Sequence, residues 1–155
     1  MLYPEAAYVA EFGSVSPTDV WVNKRLISVP STNLPNHDVN QQQNTPYGDV
    51  VISSGKTCSG EWIDAVVFEN WLATALQRNI YHLLMEKPKL PNTKAGLDEI
   101  RIKTEQVLLV AEQLGGISSR RRIWVEGTGR TAIINFRVQR TSAIHSTVID
   151  GKLTF

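Results

Sequence analysis

A chain of 155 residues with a 42% hydrophobic share can bury the core of one ordinary domain. A formal net charge of +1 excludes any bulk pull toward nucleic acid or anionic lipid, so such binding would need a local basic patch. The lone cysteine, Cys58, excludes an intrachain disulfide, and no apolar run reaches the roughly 18 residues that suggest a membrane span.

The N-terminal stretch MLYPEAAYVAEFG holds Glu5 and Glu11 and no early Lys or Arg, so it does not read as a signal peptide. Together with the cysteine usage it fits a reducing, intracellular setting. The β-branched run from Val20 to Val29 predicts a strand. Pro30 to Gly48 is polar, rich in proline and asparagine and without a period, which predicts an exposed loop. DVVISS, residues 49–54, follows as a short strand.

From Trp62 to about Glu86 the pattern turns helical. Val66, Leu72, Leu76, Ile80, Leu83 and Leu84 recur at helical spacing, and Ile63, Val67 and Trp71 widen the stripe. Pro88 and Pro91 forbid its continuation. A second helix over 94–114 follows from Leu97, Ile100, Thr104, Val107, Ala111 and Leu114. Thr93 or Asn92 can cap its start, and Gly115-Gly116 can end it in the left-handed conformation. The short link predicts antiparallel neighbours.

After Gly116 the period changes from helical to alternating. Arg120 to Gly127 reads as one strand. In 131–140, Ala132, Ile134, Phe136 and Val138 share one parity, while Asn135, Arg137 and Gln139 take the other, so a half-buried strand is expected. Ala143 to Ile149 is a further strand, with Asp150-Gly151 a tight turn or a bulge beyond it. The expected class is α+β, an antiparallel sheet packed against two long antiparallel helices.

Motifs with chemistry are weak. SSGKT, residues 53–57, resembles the end of a phosphate-binding loop, but Val50 stands where its first glycine should be and CSGE delays the helix. A plain turn at Gly55 explains it better. Glu61, Asp64 and Glu69 gather at a helix start, where the helix dipole alone accounts for acidic residues. His37, His82 and His145 lack partners at ligand spacing, and Ser59 lacks a nucleophile-elbow context. No catalytic residue, metal or cofactor is expected. Arg120, Arg121 and Arg122 form the strongest charge run, with Arg130, Arg137 and Arg140 nearby. They are either a solvated strand end or a surface for an acidic partner.

Four segments carry a resemblance to one branch of phage contractile-tail sheath proteins. Gly55 to Leu84 is similar to a family segment in which G-x-x-x-x-G-E-[FW]-I-D leads into a helix bearing D-W-L; here Asn70 precedes Trp71-Leu72. Lys89 to Ile117 resembles the next element, a K-[IL]-P turn followed by T-x-A-G opening a helix that closes before G-x-I. RTSAIHSTVIDGKLTF resembles the family's A-I-H-x-x-x-I-x-G-x-[IVL] finish, and Met1 to Ala10 its Y-P-E-A-A stretch. The likeness covers most of this chain and the C-terminal portion of the family; Pro30 to Tyr47 departs from the pattern.

The resemblance implies a structural virion protein. Such subunits form rings around a tail tube, with the C-terminal domain facing the tube and terminal strands joining neighbours' sheets. It divides the chain into 1–54, a strand and polar loop region, and 55–155, a sheath-like α+β domain. It implies a homo-oligomer with a tube protein as partner, without membrane or nucleic acid, in a virion tail assembled in the host cytoplasm. Val148, Ile149, Leu153 and Phe155 are the expected subunit interface, since a strand end with apolar residues needs a partner. A small nucleotide-binding protein or hydrolase using SSGKT, or another tail component such as tube or connector, are the alternatives.

Overall fold

A computed structural model describes residues 10, 16–20, 22, 24, 40–46, 50–52 and 54–142. Its backbone forms two compact units, one holding Ala10, the described residues of Asp19–Asp64 and Ser142, the other Ser16–Thr18 and Ala65–Thr141.

In the first unit, β1 (Gln42–Asn44) pairs antiparallel with β2 (Val50–Ile52), setting Gln42 opposite Ile52. β2 meets the expectation for DVVISS. β1 corrects the reading of Pro30 to Gly48 as loop throughout. Its residues QQN lack any apolar alternation, but a ladder is made by backbone groups and asks for none. Ile52 anchors the unit, with its side chain buried and its amide donating to the Lys24 carbonyl at 2.8 Å. Of the strand expected over Val20 to Val29, only Val20, Val22 and Lys24 are described, and none lies in a strand.

The second unit is built on two helices and a hairpin, so the class is α+β. Helix α1 (Ile63–Glu86) has 24 residues and α2 (Lys94–Gln113) has 20. They run antiparallel: Lys87, just past α1, pairs with Glu99 early in α2 at 3.1 Å, while Phe68, early in α1, packs with Ala111 near the end of α2. The α2 terminus is a Schellman cap. Gly115 has φ 78°, its amide donates to Glu112 at 2.8 Å, and the Gly116 amide donates to Ala111 at 3.0 Å. At the other end Thr93 holds the N-cap position without a side-chain cap bond.

β3 (Ile117–Thr128) and β4 (Thr131–Arg140) form an antiparallel hairpin closed by Gly129-Arg130, with Gly129 at φ 60°. A positive φ at the first of two loop residues suits a primed hairpin turn. The strand expected over 143–149 lies outside the described residues.

The core joins Phe68 and Leu72 of α1, Val107, Leu108 and Ala111 of α2, and Ile117 of β3, with Trp71, Leu76, Ile123 and Val138 against it. Phe68 and Trp71 stack at 5.9 Å between ring centres. Three expectations change. Phe68 and Ala65 are buried while Leu84 is exposed, so the inward line of α1 runs through Ala65, Phe68, Leu72 and Leu83. Leu114 leaves the α2 stripe because the helix ends at Gln113 and Leu114 is the C-cap. On β4, Val138 reaches the core but Phe136 is 39% exposed, because α2 packs along β3 and leaves the β4 row partly uncovered.

Candidate functional site

The described part of SSGKT, Ser54 to Thr57, has backbone groups engaged. Lys56 pairs antiparallel with Trp62. The Asn40 side chain takes the place of a strand neighbour, its amide donating to the Lys56 carbonyl at 2.8 Å and its oxygen accepting from the Lys56 amide at 3.1 Å. The Thr57 amide donates to the Glu61 carbonyl at 2.7 Å, and the Lys56 ammonium sits 5.2 Å from the centre of the Trp62 ring. A phosphate cradle needs consecutive backbone amides free to donate. Those of Lys56 and Thr57 already donate, to the Asn40 side chain and to the Glu61 carbonyl.

The remaining candidates for chemistry are dispersed. Glu69 pairs with Arg140 at 2.9 Å, and Asp64 lies in the first turn of α1. His82 and Cys58 are exposed; His37 and His145 fall outside the described residues. Among the described residues no three His, Cys, Asp or Glu side chains gather as metal ligands would. No described helix is long and apolar enough to cross a membrane.

The hairpin separates the arginines that the sequence placed side by side. The register puts Arg121 beside Val138 and Ile123 beside Phe136 on the face toward the helices, and Arg122 beside Arg137 and Trp124 beside Asn135 on the other. Facing α2, Arg121 pairs with Glu112, lies 4.0 Å from Glu105, and has a side chain only 17% exposed. It therefore leaves the expected acidic-partner surface. Arg120 and Arg122 are exposed, and Arg137 joins them from β4. Strand register singles out Arg137 among the nearby arginines, setting it opposite Arg122 although the two lie 15 residues apart in the chain.

A groove of about 440 Å³ lies at the far end of the same unit. Ile80, Leu84, Leu90, Leu97 and Ile134 supply apolar walls, with Lys89 and Arg130 among the lining residues. One wall is held by Asn92, which donates to the Gly129 carbonyl at 2.9 Å and lies where a side chain on Gly127 would otherwise stand. Gly127 and Gly129 thus serve the hairpin and its contact with the interhelical link. The interface residues expected at the end of the chain, Val148, Ile149, Leu153 and Phe155, lie outside the described residues.

No protein-family model matches the chain, and no curated protein matches it. Among solved structures, a chain of the anti-feeding prophage (AFP) baseplate, seen by cryo-electron microscopy with sixfold symmetrisation, is similar in fold. The TM-score is 0.68 at 13% identity, over 96% of the present chain and 48% of that one. The present chain thus spans about half the length of the baseplate chain it matches.

Proposed function

We propose that the chain is a structural subunit of a contractile phage-type tail sheath, assembling with copies of itself in rings around a tail tube. The observation that carries a tail-associated role is the fold shared with a chain of the AFP baseplate over 96% of the present one. The finer assignment to a sheath rests on the sequence resemblance, above all G-E-W-I-D at Gly60 to Asp64 opening α1 and T-K-A-G at Thr93 to Gly96 opening α2. In this reading the protein is not an enzyme, its partners are other copies and the tube protein, and it resides in a virion tail assembled in the host cytoplasm. Terminal strands bearing Val148, Ile149, Leu153 and Phe155 link neighbours.

A second reading is a baseplate component, favoured by the origin of the matched chain. Co-expression of the full-length subunit with its tail tube protein, viewed by negative-stain electron microscopy, separates the two. Tubes covered along their length support a sheath. Particles seated at one tube end support a baseplate. Bare tubes with the subunit left in solution contradict both. The nucleotide-binding alternative has its own test: calorimetry with ATP and magnesium on the intact chain. Saturable binding lost in Lys56→Ala would establish it against the geometry of the Asn40–Lys56 clamp.

A further inference from the structure

The chain neutralises the hairpin arginines on one face and leaves them opposed on the other. Arg121 is matched by Glu112 and Glu105, and Arg140 by Glu69. On the outer face Arg122 and Arg137 are direct cross-strand partners, and neither has a carboxylate within ion-pair distance among the described residues. Like charges placed directly opposite each other destabilise a strand pair. The next rung on that face is Trp124 with Asn135, and the one after is Glu126 with Ile133. Trp124 is 42% exposed and Ile133 is 47% exposed.

We infer that this outer face, Arg122 and Arg137 with Trp124 and Ile133, docks a carboxylate-bearing segment of a partner protein. A carboxylate set between the two guanidiniums can accept bidentate hydrogen bonds and removes their mutual repulsion. Side chains two residues apart along a strand share a face and stand about 7 Å apart. The fitting segment therefore carries an acidic residue at the arginine rung and a bulky apolar side chain over Trp124 and Ile133. Arginine and tryptophan are the residue types that dominate interface energetics when a partner excludes water from them. Glu126 closes the far end of the face with a negative charge, which disfavours a continuous polyanion. The short row of cations beside apolar side chains selects a protein segment over nucleic acid or a lipid surface. The inference stands on register and charge, and does not depend on the sheath reading.

The test uses the full chain and a labelled peptide in which a glutamate and a leucine or tyrosine stand two residues apart, with serines between, so that both share one face of an extended segment, followed by fluorescence anisotropy. Duplex DNA and phosphatidylserine vesicles are measured in parallel. Saturable peptide binding is expected, weakened about tenfold or more in the Arg122→Gln/Arg137→Gln double variant and in Trp124→Ala. The Arg122→Lys/Arg137→Lys variant keeps the charge without the bidentate geometry and should fall between. Arg101→Gln, on α2, should bind as the parent does. The melting temperature of the glutamine double variant should equal or exceed the parent's, because a repulsive pair has been removed. Unchanged peptide affinity in that variant overturns the proposal. So does tighter binding of DNA or vesicles that the same substitutions abolish, which would assign the face to phosphate. A lower melting temperature in both the glutamine and the lysine variants would make the arginines structural and overturn it as well.

Discussion

At the scale of single residues, the sharpest constraints are close approaches that only small or specific side chains permit. Gly116 lies under the Phe68 ring so closely that a Cβ there would overlap it. Gly116→Ala should therefore lower stability by about 1–3 kcal/mol, as overpacking of a filled core does, measured by urea unfolding. Asn92 and Thr93 make a contrasting pair. Both stood as cap candidates in the sequence, but Asn92 donates to Gly129 across the link while Thr93 makes no cap bond. Asn92→Ala should cost about 1 kcal/mol, the net worth of a typical hydrogen bond, while Thr93→Ala should change stability by only a few tenths. Equal losses at the two positions would mean that Thr93 caps α2 in solution. Leu108 is 0% exposed within the core, so Leu108→Ala should cost about 2–5 kcal/mol. Leu76 packs on the same cluster but is only partly buried, so Leu76→Ala should cost less, roughly 1–2 kcal/mol. A denaturant series on both variants checks the order.

At the scale of elements, local chemistry written in the sequence decides where α2 ends, and neighbours decide which face of α1 is buried. The paired glycines after Leu114 supply the left-handed residue and the two amides of the Schellman cap without help from elsewhere. Gly115→Ala forces a Cβ into φ 78° and should lower the thermal midpoint by an amount matching roughly 1–2 kcal/mol. Circular dichroism would read it as an earlier melt with the folded helical signal retained. Helix α1 is apolar on more than one side, so its own pattern admits several inward lines. Contact with α2 and β3 selects Phe68 and Leu72, leaving Tyr81, Leu84 and Met85 exposed. The β4 row had the right parity, yet only Val138 reaches the core, because the helix lies along β3. Alternation tells which side chains share a face; it does not tell how much of that face a helix will cover.

At the scale of the whole molecule, the assembly reading makes a prediction about the chain's last residues. Large apolar groups at Val148, Ile149, Leu153 and Phe155 are costly to leave in water, at about 1.5–3 kcal/mol for each fully buried equivalent. Deleting Lys152 to Phe155 from the full-length subunit should leave its circular dichroism intact and impair sheath assembly seen by electron microscopy. Normal sheaths from the deleted subunit would remove that segment as an assembly arm; a collapsed helical signal would place it in the subunit's own core. Much of the architecture was legible beforehand for physical reasons. Helical and alternating periods, two prolines between helices and glycines at the cap act over a few residues, so the sequence by itself determined the two helices, their order and the strands β3 and β4 that follow. It also carried the loss of the phosphate-loop pattern at Val50. Only the tertiary structure decided which arginines belong together. A row of Arg120, Arg121 and Arg122 looks like one patch in the chain, but a strand turns successive side chains to opposite faces. α2 then supplies Glu112 and Glu105 to Arg121, and antiparallel register brings Arg137 beside Arg122. Charge in a sequence is a list, whereas charge on a surface depends on strand pairing and on which carboxylates the packed helices bring within reach.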